Sequence, residues 1–271
     1  MVKHPYRLLA DHLKGNLRYQ PLFERLYKSL VLAMNYGAGG DIQSSGELVA
    51  LQVLREKLQG ASQGPIVLFD VGANTGDYAR SLLQVFGDQP IRILAFEPSP
   101  ASYALLIHSL QEEADRVELY PFGFSDCPAE LTLFSEPKAG STIASLYPSS
   151  LAQHWGLGTL QEEKIILQTL DDFCTTQKID FIHFLKIDVE GHELNVLQGA
   201  KNLIEQNRIR FIQFEFGHCN IDSRTFFRDF YRLLNDRYRI YRVMKNGLFL
   251  IEQYQEMYEI FSVVNYFAEH R

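Results

Sequence analysis

Cysteine is scarce. Cys127, Cys174 and Cys219 are the three thiols of a 271-residue chain, and none forms a CxxC pair or a Cys/His metal spacing. That excludes a disulfide framework and a zinc knuckle, and the thiols read as reduced in a cytoplasmic protein. Long apolar runs are also missing. No stretch approaches the roughly 18 residues needed to span a bilayer, and the opening MVKHPYRLLADHLKG has no signal-peptide core, so no integral membrane segment is expected. Positive charge is in deficit, with 26 Lys and Arg against 33 Asp and Glu for a formal charge of −7. Such a balance argues against nucleic acid as a partner and fits small or neutral ligands.

What is present is an ordinary core composition, 46% hydrophobic and 22% charged, in a chain long enough for one large domain with an extension. From about residue 5 to 64, leucines at three- and four-residue spacing predict amphipathic helices, with Pro21 at a helix start. The glycine-rich link from Tyr36 to Glu47 reads either as a connector or as a lid that brings Gly39, Gly40, Asp41, Ser45 and Glu47 over a ligand. Residues 1–64 are accordingly assigned to a helical extension and 65–271 to the main domain.

From Ile66 the periodicity changes to strands alternating with helices. Ile66–Asp70, Ile91–Phe96 and Val117–Phe122 predict strands, and Asp77–Phe86 and Ala101–Leu110 the helices between them. This order predicts a Rossmann-like, doubly wound α/β sheet with its ligand at the carboxyl ends of the strands. Residues 127–180 interrupt the rhythm as a substrate-side insertion. In it Glu130–Phe134 reads as an edge strand, Glu163–Thr169 as another strand, and Trp155 as an anchor or a substrate contact. Ile182–Val189 and Ile209–Glu215 continue the sheet around a helix from Glu193 to Gln206. Tyr238–Val243 and Leu248–Ile251 form a terminal antiparallel pair, and Tyr258–Phe267 packs on the sheet or the N-terminal helices.

The segment IVLFDVGANTG (Ile66 to Gly76) is an apolar strand that ends in an acid and a glycine turn. Gly72 and Gly76 free the backbone to turn tightly near a ligand. Glu97 ends the next strand about twenty residues on, within reach of a ribose hydroxyl. A third glycine at GxGxxG spacing and the GK(S/T) of a P-loop are both absent, and a carboxylate at Asp70 would repel a pyrophosphate but could hold the ammonium of a methionine moiety. S-adenosylmethionine is the preferred ligand.

FDVGANTG, AFEPSP, FGFSD, LQTLDDF, FLKIDVEGHELNVLQGA and IQFEFG, in that order, resemble the FkbM family of S-adenosylmethionine-dependent methyltransferases. The resemblance covers about Gly37 to Ile251. It implies a class I methyltransferase fold, mostly parallel with a C-terminal antiparallel strand, and O-methylation of a sugar, glycan or natural product. Residue by residue, it implies Asp70, Gly72, Asn74 and Gly76 around the methionine moiety, Glu97 on the ribose, and Ser125 and Asp126 beside the adenine.

The cluster Asp188, Glu190, His192 faces the acceptor in this reading. Either His192 is the general base, oriented by Asp188 or Glu190, or it caps the following helix while Asp188 lines the pocket for cofactor and acceptor. Lys186 is expected to pair with an acid such as Glu215. The primary assignment contains no metal, and a rival chemistry places Mg²⁺ among Asp188, Glu190, Glu215 and His218. An NAD or nucleotide-sugar enzyme, and a non-catalytic binding protein on the same scaffold, are the other function classes.

Overall fold

The computed structural model describes residues 13–37, 42–60, 64–138, 141, 144–149 and 156–271. The expectations for Leu8, Leu9, Gly39, Gly40, Asp41 and Trp155 fall outside these. Among the described residues, no helix is long and apolar enough to cross a membrane.

Among the described residues, α1 (Gln20–Ala33), α2 (Ile42–Ser45) and α3 (Glu47–Leu58) precede the sheet. The sheet then begins with β1 (Ile66–Val71), α4 (Asp77–Phe86), β2 (Ile91–Phe96), α5 (Pro100–Leu110) and β3 (Val117–Tyr120). A smaller sheet follows, made of β4 (Gly123–Phe124), β5 (Ala129–Ser135), β6 (Ala144–Ser145) and β7 (Gln161–Gln168). After α6 (Leu170–Thr176) come β8 (Ile182–Ile187), α7 (Glu193–Gln198), α8 (Lys201–Glu205) and β9 (Ile209–Phe216). The chain closes with α9 (Cys219–Ser223), α10 (Phe227–Leu234), β10 (Tyr238–Met244), β11 (Gly247–Ile251) and β12 (Val264–His270).

The main sheet has the order β11-β10-β12-β9-β8-β1-β2-β3. Strands β3, β2, β1, β8 and β9 run parallel, whereas β12 enters antiparallel between β9 and β10. This is the doubly wound class I methyltransferase architecture. The chain leaves β1 toward β2 on one side and has β8 on the other, so the crevice of the fold opens at the ends of β1 and β8. Gly72 and Asp188 lie there, and the Asp188 N–H donates to the Val71 carbonyl at 3.0 Å.

Three expectations need correction. The segment from Tyr258 to Phe267 packs on the sheet only through its first half, Tyr258, Ile260 and Phe261, because its second half belongs to β12 itself, paired on both sides. Strand β5 lies between β7 and β6 of the small sheet and is not at an edge. The helix expected from Glu193 to Gln206 is broken after Gln198, where Gly199 lies so close to Ser125 that a Cβ would meet its carbonyl oxygen at 2.0 Å.

Two apolar layers flank the sheet. One joins Leu68, Phe184, Phe211 and Phe267 to α4 and to Ala50, Leu51, Leu54 and Leu58 of α3. Three buried leucines at roughly 2 kcal/mol each hold α3 firmly, although its N-cap Gly46 offers no side-chain cap. Residues 42–58 thus pack in one layer with the main sheet. Asn35 tightens the junction, its amide donating to the carbonyls of Ser45 and Val243 at 2.7 and 3.0 Å. The opposite layer is aromatic around Phe69, Phe96, Phe124 and Phe173, with Phe96 and Phe124 edge to face at 4.7 Å.

Candidate active site

Glu97 shows how the crevice is built. It follows β2, and its carboxylate accepts from the Asn74 N–H and the Ser99 N–H, both at 2.8 Å, so it locks the glycine turn to the start of α5. Burial raises its pKa to about 7, against those two hydrogen bonds, which lower it. Glu97 faces a cavity of about 170 Å³ together with Gly72, Asn74, Asp188, Glu190 and His192. The other wall is apolar and comes from the small sheet, through Leu133, Ile165 and Leu167. Sequence reading did not assign these three to the site, although the period-two alternation of ELTLF and KIILQ carried the signal. A second cavity of about 510 Å³ shares Gly72, Asn74 and Asp188 and continues toward Ile42, Glu47, Tyr78 and Lys186.

The turn itself differs from expectation in what its glycines avoid. Gly72 has φ +85°, and a Cβ there would meet the Asp188 carbonyl oxygen at 1.8 Å. At Gly76, φ +91°, a Cβ would meet Leu106 and Leu110 of α5. Protein atoms, not ligand space, explain both. Asp70 is fully buried and is not among the residues lining either cavity. Neither of its oxygens, nor Oδ1 of Asn74, has a hydrogen-bond partner among the described residues. Burial raises Asp70 to about 6, partly offset by Lys186.

Asp70, Lys186 and Gln213 are register neighbours across β1, β8 and β9 and form a polar row at the edge of the apolar layer. Lys186 donates to Asp188 Oδ2 at 2.9 Å and lies 4.5 Å from the Tyr78 ring, so its partner is Asp188 and not Glu215. Burial lowers the Lys186 pKa, but Asp188, Glu47 and Asp70 outweigh it and hold the ammonium above its ordinary value. Gln213 donates to Glu47 at 2.7 Å and accepts from the Tyr78 hydroxyl at 3.0 Å. Glu47, which one of the two readings of the Tyr36–Glu47 link brought over the ligand, reaches this row from the N-terminal extension.

His192 is not oriented by Asp188 or Glu190. Its Nε2 lies 2.9 Å from Ser125 Oγ and its Nδ1 3.4 Å from the Tyr147 hydroxyl. Ser125 Oγ donates to Asp126 Oδ1 at 2.8 Å, and this bond lowers the Asp126 pKa. The consistent assignment has Nε2–H donating to Ser125 and Nδ1 accepting from Tyr147, which leaves no free lone pair for proton abstraction. Burial also lowers His192 to about 4. The ring occupies the N-cap position of α7 but makes no side-chain cap bond, so the capping alternative fails as well. Ser125 and Asp126 connect to the cavity through His192 and are not among its lining residues.

Beyond Asp188, carboxylate oxygens of Asp188, Glu190 and Glu215 lie within 4.8 Å of one another, and Glu190 forms a similar group with His218 and Cys219. Burial raises the pKa values of Glu190 and Glu215, and the Asp188 charge adds to both shifts.

Residues 70–261 match the model of the methyltransferase FkbM domain. The hexuronic acid methyltransferase AglP of Haloferax volcanii is 25% identical over 198 residues, spanning 70% of this chain and 74% of the relative. The 2-O-methyltransferase NoeI of Sinorhizobium fredii is 24% identical over 182 residues, 61% of this chain and 70% of the relative. Among solved structures, methyltransferase FkbM from Methylobacillus flagellatus KT aligns with a TM-score of 0.46 at 17% identity, over 75% of this chain and 43% of that chain.

Proposed function

Because the chain belongs to the methyltransferase FkbM domain family, whose model covers residues 70–261, we propose that it is an S-adenosylmethionine-dependent O-methyltransferase of a sugar, glycan or natural-product hydroxyl. The observation that carries the cofactor reading is Glu97, a buried carboxylate at the end of β2 that faces the 170 Å³ cavity. Its oxygens hold the turn through one N–H each and keep lone pairs for ribose hydroxyls. The orphaned Oδ1 of Asn74, in the cavity wall, is an acceptor fitted to a ligand rich in donors, while Asp70 lies behind the turn without lining the cavity. Bound there, S-adenosylmethionine supplies a methyl group on a sulfonium sulfur, already electrophilic toward an oxygen nucleophile.

The chain's own residues hold and align. His192, with Ser125 and Asp126 behind it, closes the adenine end of the cavity. Gly72 and Gly76 give the turn its shape. Asp188, fixed by Lys186, aligns the acceptor hydroxyl, whose proton passes to the carboxylates of Asp188 and Glu190. The relatives AglP, a hexuronic acid methyltransferase, and NoeI, a 2-O-methyltransferase, support a sugar as the acceptor class.

Calorimetry with S-adenosylhomocysteine tests the reading. Glu97→Ala and His192→Ala are expected to weaken binding at least tenfold. Asp188→Asn is expected to leave that binding within a few-fold and to lower turnover at least a hundredfold, in the range of a lost proton-transfer group. No heat from the wild-type chain with either form of the cofactor would sink the proposal.

A further inference from the structure

We propose that Asp188, Glu190 and Glu215 form a binding site for one oxygen-preferring divalent cation, magnesium or manganese, at the acceptor end of the cavity. The three carboxylates come from the ends of adjacent strands β8 and β9, and their oxygens lie within 4.8 Å of one another. A cation with bonds of about 2.0–2.6 Å to each oxygen spans nearly that separation, so side-chain adjustment alone would seat it.

Glu215 is the independent observation. It is nine-tenths buried at 9% exposure, its carboxylate belongs to this group, and among the described residues it has no hydrogen-bond donor and no ion-pair partner. Burying a carboxylate without a compensating charge is costly. Lys186, the cation bonded within the cluster, is committed to Asp188 Oδ2 and shares its field with Glu47 and Asp70. Three acids beside one shared ammonium leave negative charge for an ion to neutralise.

The donor set decides the class of ion. Three carboxylates suit magnesium or manganese, whereas the neighbouring group of Glu190, His218 and Cys219 would suit zinc. The Cys219 thiol donates to Glu190 Oε2 at 3.2 Å and is engaged within the protein. Asp188 keeps a third of its side chain exposed, which leaves coordination positions for water or for an acceptor. Asp188 and Glu190 both line the 170 Å³ cavity, so the ion would take one or two acceptor oxygens as further ligands, vicinal hydroxyls or a carboxylate. That role rests on the methyl-transfer reading, while binding of the ion does not.

Manganese titration of the full chain followed by electron paramagnetic resonance tests the site. One saturable site is expected, displaced by magnesium, with affinity lowered at least tenfold by Glu215→Gln and by Glu190→Gln and unchanged by Cys219→Ala. S-adenosylhomocysteine calorimetry on the same samples reports whether each variant is folded, and Glu190→Gln decides if Glu215→Gln loses that binding. No saturable manganese up to millimolar concentration, undiminished binding in both glutamine variants, or loss through Cys219→Ala would each overturn the proposal. Cofactor binding without manganese binding refutes the ion site and leaves the methyltransferase reading standing, and the reverse pattern does the opposite.

Discussion

A methyl group on Gly72 would sit 1.8 Å from the Asp188 carbonyl oxygen, on a residue whose φ of +85° already disfavours any side chain. The glycine is required by contact between the ends of two strands and not by a ligand. Left-handed strain alone costs about 1–3 kcal/mol, and backbone displacement adds to it. Gly72→Ala is therefore expected to destabilise the chain by at least about 2 kcal/mol, lowering Tm by roughly 4–8 °C for a domain of this size. Thermal unfolding without cofactor measures this. An unchanged Tm combined with lost S-adenosylhomocysteine binding would return the space to the ligand. Residues of this kind were legible as important and illegible as to reason, since a glycine turn looks alike whether it clears a cofactor or a neighbouring strand.

At the scale of elements, local periodicity was informative wherever one element settles its own fate. Asp77–Phe86 and Ile91–Phe96 were located to the residue, because an amphipathic helix and a buried strand each write their burial into their sequence. Pairing at long range is not written that way. Val264 to Ala268 are all buried, with no polar alternation to mark β12 as an interior strand, and its partners lie 24 or more residues away. The candidate site divides likewise: Gly72, Glu97 and Asp188 follow from the topology of a doubly wound sheet, while Glu47 enters from α3 and Leu133, Ile165 and Leu167 from another sheet. The break between α7 and α8 is the sharpest case. Alanine is a better helix former than glycine by about 1 kcal/mol, and Gly199 has an ordinary helical φ of −71°. Nevertheless Gly199→Ala is expected to destabilise by about 2 kcal/mol or more, because its Cβ would meet the Ser125 carbonyl at 2.0 Å. Urea unfolding gives the sign, and a stabilised variant would show that helix propensity outweighs this contact. The same variant is expected to weaken S-adenosylhomocysteine binding, since Ser125 anchors His192.

For the molecule as a whole, the buried acids of the site set its response to pH. Asp70 is raised from 3.8 to about 6 and Glu97 from 4.5 to about 7, each chiefly by burial. Both carboxyls hold their protons more tightly in the folded chain than in the unfolded one. Their contribution to stability is therefore fully present below their unfolded pKa values and is lost as pH rises through about 6 and 7. At 1.36 kcal/mol per pKa unit, Asp70 alone accounts for about 3 kcal/mol at most. The ligand-free chain is expected to show a lower Tm at pH 8 than at pH 5.5, by roughly 5–10 °C. Asp70→Asn keeps the shape and removes the ionisation, so it is expected to raise Tm at both pH values, somewhat more at pH 8, and to flatten this slope by at most about a third. A Tm that climbs from pH 5.5 to 8, or an Asp70→Asn variant with the wild-type slope, would mean that Lys186 satisfies the Asp70 charge in full and that the carboxylate costs the fold nothing.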